Sequence, residues 1–173
     1  MDLHDFNGQA MYFDEPTPVT VQHLLARAAA AYGNKKAELY LQQAYARAPQ
    51  NPTVLVAMYR FYYYQHRLEE AIDIANQVMR LLAQQLDFPA RWEELTFAEF
   101  SNGLLVSFTK VRFYLLALKG TAYLHLRLGK TSTGITMLNK IIQMDAYDRL
   151  GARALLEAVG PMPVDNISQT AVG

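Results

Sequence analysis

Gly129-Lys130-Thr131 is the first place to look for chemistry, because a glycine-lysine-hydroxyl triplet can cradle phosphate. A phosphate loop needs another glycine five residues before that pair and a strand leading into it. The residue there is Leu124, and the stretch before the triplet reads as helix. The four histidines are His4, His23, His66 and His125, and no two have metal-ligand spacing. Glu69-Glu70 and Glu93-Glu94 are adjacent pairs, so on a helix their side chains diverge. Paired-carboxylate catalysis needs two groups converging on one bond. The absence of cysteine excludes disulfides, thiolate metal sites and cysteine nucleophiles. Asn166-Ile167-Ser168 is a glycosylation sequon, which matters only in a secreted protein. No catalytic, cofactor-binding or metal-ligating residue is therefore expected, and the chain reads as a non-enzyme.

The elements that would position any working residues are helices. Between breaks, the chain is rich in Ala, Leu, Gln, Arg, Glu and Lys, which are good helix formers. Thr17-Pro18 and Asn51-Pro52 each read as a cap followed by proline at the first helical position. Gly33-Asn34, Pro49, Asp87-Phe88-Pro89, Ser101-Asn102-Gly103, Gly129 and Gly160-Pro161 supply the stops, and His66-Arg67 is a weaker one. The spacing predicts helices near 18–33, 36–48, 52–65, 68–86, 90–100, 103–128, 132–144 and 146–159. Such segments with short connections suit antiparallel helix pairs and leave no room for a strand–helix–strand unit.

The chain has 173 residues, 51% of them hydrophobic and 18% charged, enough for one packed domain. Sixteen bases balance sixteen acids. That neutrality argues against a non-specific nucleic-acid binder, which needs surplus positive charge. No run of about 18 apolar residues is free of charge, so no membrane span is expected. Residues 1–16 carry Asp2, Asp5, Asp14 and Glu15 and no Lys or Arg, unlike a signal peptide, so a cytoplasmic location is expected. Between 104 and 140 lie Lys110, Arg112, Lys119, Arg127, Lys130 and Lys140 with no acid. This segment is either a set of solvated faces or a docking surface for something acidic.

Pro18 and Pro52 stand 34 residues apart, as do Ala37 and Ala71. A fixed period of this size marks repeat architectures. A third unit starting at Leu115 places Gly129 at its turn, Gly134 at the small position, and Leu138 and Ile141 on the buried face. Arg67-Leu68-Glu69-Glu70-Ala71-Ile72, and Gly120-Thr121-Ala122-Tyr123 through Leu128-Gly129, resemble the tetratricopeptide (TPR) repeat. The resemblance covers residues 18–86 and 115–148. The sequence departs from the family at Ala28 and His125, where tyrosine is usual, and at His66, where the turn glycine is usual.

The resemblance implies an all-α fold: a right-handed array of antiparallel helix pairs, about three units, with a helical insertion (86–114) between the second and third. Residues 17–160 are expected to form the single domain, between an acidic N-terminal tail (1–16) and a C-terminal tail (161–173) expected to be flexible and to add little stability. Phe108, Phe113 and Tyr114 are expected in the core, and Trp92 as a clamp for the insertion or part of a contact surface.

The resemblance also implies a concave groove lined by the first helix of each pair. Position by position, it would offer Gln22 and His23 from the first unit, Arg60, Tyr63 and Tyr64 from the second, and Lys119, Tyr123 and Arg127 from the third. Tyr62 should face the partner helix. Chaperone-tail binding of the carboxylate-clamp type is not expected, because the clamp positions read Gln22, Ala26, Ala57, Leu116 and Gly120. Bacterial type III secretion chaperones are similar in size only. The implied function is protein or peptide binding in the groove. The alternatives are a small secretion-type or assembly chaperone guarding one client, and a self-assembling structural oligomer. A homodimer is the assembly kept open. The acidic, aromatic N-terminal segment (Phe6, Met11, Tyr12, Phe13) could compete for the groove.

Overall fold

The computed structural model describes residues 16–160; the expectations for the two tails lie outside them. Eight α-helices follow one another: α1 Val19–Ala30, α2 Lys35–Arg47, α3 Pro52–Tyr64, α4 Leu68–Leu86, α5 Phe97–Val106, α6 Phe108–Arg127, α7 Thr131–Met144 and α8 Ala152–Val159. No strand occurs among the described residues, so the chain is all-α. No helix among them is long and apolar enough to cross a membrane.

Helices pack as neighbours in sequence: α1 on α2, α3 on α4, and α6 on α7. Each pair is closed by a small residue. Ala37, Ala71 and Gly134 are all buried, Ala37 and Ala71 completely. A Cβ on Gly134 would lie 2.6 Å from Leu126 Cγ and 3.0 Å from the Ala122 carbonyl oxygen, so α6 and α7 meet closer than a side chain allows unless Leu126 shifts. The first pair joins the second through α3, and the second joins the third through α4 and α6, burying Val78, Leu82, Leu115, Leu118 and Leu124 in one continuous core.

The turns also repeat. After α3, the His66 amide donates to the Tyr63 carbonyl and the Arg67 amide to the Tyr62 carbonyl. After α6, the Gly129 amide donates to Leu126 and the Lys130 amide to His125 in the same pattern. Both are Schellman closures, which require a left-handed residue. Gly129 has φ 75°, and His66 takes the same place with φ 58°. Gly129-Lys130-Thr131 is thus a helix stop, with Lys130 Nζ 3.8 Å from Glu69 rather than in a phosphate cradle. Beside the α3–α4 turn, Arg67 bonds Glu38 and Glu70, each at 2.8 Å, and stacks over Tyr62. It links α2, α3 and α4.

Five expectations are corrected. Thr17 does not cap α1, which starts at Val19; its hydroxyl lies 3.5 Å from Asn51 Oδ1 and 3.3 Å from Thr53 Oγ1 instead. The helix near 90–100 is a 3-10 turn, Trp92–Glu94, followed by α5, whose start is a Thr96/Glu99 capping box. The single long helix over 103–128 is broken at Ser107, whose extended backbone ends α5 and whose hydroxyl accepts from the Lys110 amide to start α6. Phe108, just past that break, is 58% exposed and not in the core. The last helix starts at 152 rather than 146, because Asp145 and Asp148 turn back to accept from the Leu150 and Arg153 amides.

Elsewhere the insertion is firmly anchored. Phe88 is buried edge-on against Tyr114, and Trp92 packs partly buried on the core. Lys140 on α7 donates to the carbonyls of Glu93 and Leu95.

Candidate functional site

Tyr62, Tyr63 and Tyr64 are consecutive on α3, so about 100° separates each from the next. The helix distributes them among three environments. Tyr62 is buried toward α2 and α4, under the Arg67 guanidinium, as expected. Burial, then the nearby Glu38 carboxylate, pushes its phenol pKa up. Tyr63 faces α6. It stacks on Tyr59 (6.3 Å between ring centroids) and on Tyr123 (6.5 Å), with Arg127 5.8 Å above its ring. Burial raises its pKa, followed by its hydrogen bond with Tyr123. Tyr64 turns the other way, toward α1.

There it lines an open cleft of about 530 Å³ between α1 and α3. Leu25, Ala28, Ala29, Leu41, Ala57 and Phe61 make its apolar wall. Arg60 is also in the wall, and Tyr32 and Tyr64 stand on its edges, 55% and 47% exposed. Tyr32 sits edge-on to Phe61 at 6.4 Å, and burial, then Tyr64, pushes its pKa up. Tyr63 and Tyr64 contact each other edge-on at 5.4 Å, so the Tyr63–Tyr123–Arg127 cluster adjoins the cleft.

The eight residues expected in one groove therefore divide. Arg60 and Tyr64 share the cleft, and Tyr63, Tyr123 and Arg127 form the adjoining cluster. Gln22 and His23 lie outside both, exposed near the start of α1, where Gln22 donates to the Thr17 carbonyl at 2.7 Å. Lys119 is occupied elsewhere, donating to the Leu150 carbonyl at 2.6 Å. Tyr32, Leu25 and Ala29 were missed. The sequence signal was Tyr32 itself, the aromatic residue just ahead of the Gly33 turn.

No group of three or more His, Asp or Glu side chains that could hold a metal occurs among the described residues. His125 does something else. Its Nδ1 is buried and has no hydrogen-bond partner among the described residues. Burial, then the Lys130 charge, depresses its pKa, so the fold favours the neutral ring. Above the unfolded-state pKa of about 6.5, both states are neutral and this preference is without effect. Below it, the unfolded chain takes up the proton first, and stability falls as the pH drops toward the folded-state pKa. His125→Gln should flatten the loss of stability that the wild type shows between pH 7 and pH 5.5 in urea titrations. Equal losses for both proteins would remove His125 as the cause.

No family model and no solved structure matches the chain. It is 44% identical, over 159 residues, to the uncharacterized 19.8 kDa protein in the nifW 5′ region of Azotobacter chroococcum mcd 1. The match covers 92% of this chain and 89% of that protein, and the chain belongs to the same family.

Proposed function

We propose that the chain is a non-catalytic protein–protein interaction module of TPR type, which holds a peptide or helical segment of a partner in the α1/α3 cleft. The observation that carries this reading is the pair Tyr32 and Tyr64, half-exposed on the edges of an open apolar hollow with Arg60 in its wall. Tyrosine offers a large contact area at low conformational-entropy cost, and arginine can hold a carboxylate or a peptide carbonyl. The equally spaced small residues Ala37 and Ala71, and the matching turns at His66 and Gly129, support the repeat class. The tyrosine–arginine cluster on α3 and α6 extends the same surface.

The test is a Tyr32→Ala, Tyr64→Ala double variant. Truncating a hot spot costs about 2 kcal/mol or more. A partner captured by the wild type should bind the double variant at least about 30-fold more weakly by calorimetry, with helicity unchanged. Exposed Asp73 on α4 supplies the control, and Asp73→Ala should bind normally. Glu70 is unsuited to that purpose because it is paired with Arg67. A folded double variant with wild-type affinity would show that the cleft is not the working surface.

A further inference from the structure

A helix with large apolar side chains on opposite sides belongs between two covering surfaces. α5 carries such side chains on both sides, with Glu99, Ser101 and Asn102 as its polar residues, and only one side is covered. Its inner side carries Phe100 and Gly103, both buried, and the Phe88 ring fills the space a Cβ on Gly103 would need. Its outer side is Phe97, Ala98, Ser101, Asn102, Leu105 and Val106, of which only Ser101 is even partly covered. Phe97 is 64%, Leu105 88% and Val106 64% exposed.

No ionisable group of α5 itself protects this side. Glu99 is the one charged residue in α5, and its carboxylate is folded back onto the Thr96 amide and hydroxyl at 2.8 Å each. The Ser101 hydroxyl donates to the Phe97 carbonyl within the helix, so covering it strands no donor. Phe108 (58% exposed) and Tyr147 (84%) extend the patch and share a hollow of about 360 Å³ with Phe97, Phe100, Leu104, Met144 and Leu150; Arg112, Asp145 and Arg149 also line it, the Arg149 guanidinium lying 5.4 Å over the Tyr147 ring.

We propose that this face joins two copies of the chain, α5 against α5 in antiparallel orientation about a two-fold axis. The sequence of the face fits itself. Centred between Ser101 and Asn102, the pairing sets small Ala98 opposite large Leu105 twice in the middle of the face, with Phe97 of one copy and Val106 of the other at the same level on its two edges. A two-fold interface requires this reciprocity, in which residue i meets j and j meets i. The area also fits. At roughly 150–250 Å² for a large side chain, the exposed parts of Phe97, Leu105, Val106, Phe108 and Tyr147 come to about 600 Å² per copy. That is at the upper end of the patch a monomer leaves bare, about 300–600 Å². It approaches the roughly 800 Å² per partner of an ordinary interface before the flanking residues are added.

Sedimentation equilibrium of the full chain from about 1 to about 100 µM, a range that brackets ordinary and weak dimers, tests the proposal. The wild type should have twice the monomer mass. Leu105→Glu places a carboxylate in the shared face and should weaken self-association by about 100-fold or more, since a buried unpaired charge is costly. Its circular dichroism should not change, because Leu105 is almost fully exposed. Adding Ala98→Lys to Leu105→Glu sets the new charges opposite each other twice and should restore at least about tenfold. Tyr64→Ala should dimerise normally. A wild type monomeric at the highest concentration would overturn the proposal, as would a Leu105→Glu protein as dimeric as the wild type. So would dissociation by Tyr64→Ala, which would put the contact at the cleft. If deleting residues 1–15 turns a monomer into a dimer, the chain's own N-terminal segment covers the face and the second-copy assignment is wrong.

Discussion

Tyr114→Ala should cost about 3–5 kcal/mol, the range for truncating a fully buried aromatic side chain. For a domain of this size, that lowers the melting temperature by on the order of 10 °C. Tyr114 is 1% exposed and lies where α4, α6 and the insertion converge, with the Phe88 ring edge-on at 5.3 Å. Burial, with a smaller contribution from Glu93, pushes its phenol pKa up to about 12, so the hydroxyl stays neutral throughout the physiological range. The loss on truncation is therefore one of packing: the ring leaves a cavity walled by helices that cannot collapse onto it. Tyr114→Phe retains the ring and should cost no more than about 1 kcal/mol. Thermal melts of the two variants check the argument. A small loss for Tyr114→Ala would mean that the insertion is not held against α6 by this ring.

The second large effect is expected at Gly134. Alanine there would gain about 1 kcal/mol of helix propensity over glycine. It would also have to move the tip of Leu126, which can yield, and crowd the Ala122 carbonyl oxygen, which is backbone and cannot. Those effects oppose each other, so Gly134→Ala should lie within about 1 kcal/mol of wild type. Gly134→Val adds two further methyl groups in the same gap and must push α7 off α6. It should lose about 2–3 kcal/mol, the upper range for overpacking, and melt roughly 5–10 °C lower. Urea titration of both variants gives the answer. Equal stabilities would mean that the close approach of α6 and α7 is soft.

That approach was legible before any coordinates, because Gly134 falls where Ala37 and Ala71 fall in the other two pairs. Asn51-Pro52 was equally readable, and the Asn51 side chain does accept from the Val54 amide. Such signals are local: a cap, a proline or a small residue acts on its own turn. The break at Ser107 is also local, but no glycine or proline announces it. The apolar run from Leu104 to Leu118 continues through it, and a single hydroxyl turning back on its own backbone makes the stop. Thr96-Phe97-Ala98-Glu99 is a capping box in plain view, and reading it would have moved the start of α5 from 90 to 97.

The cleft was less legible for a different reason. Which side of α1 faces α3 depends on how α1 is rotated by its packing on α2, and that is a tertiary property. Placing family positions onto α1 selected Gln22 and His23, whereas the cleft uses Leu25, Ala28, Ala29 and Tyr32. On α3, where three successive tyrosines cover most of the circumference, the same procedure reached Tyr64 and Arg60 because some tyrosine had to face each neighbour.

The joint at Ser107 has a consequence for how the molecule breathes. α5 shares little surface with the rest of the protein, and one extended residue separates its hydrogen-bond ladder from that of α6. Regions with few buried contacts open independently of the global transition. The amides of α5 should therefore exchange with solvent through a small local opening, while those of α6, buried along most of its length, wait for the whole domain to unfold. Hydrogen exchange should divide the chain at residue 107 into a fast and a slow unit that meet end to end. In an unbroken helix over 103–128, those amides would have shared one fate.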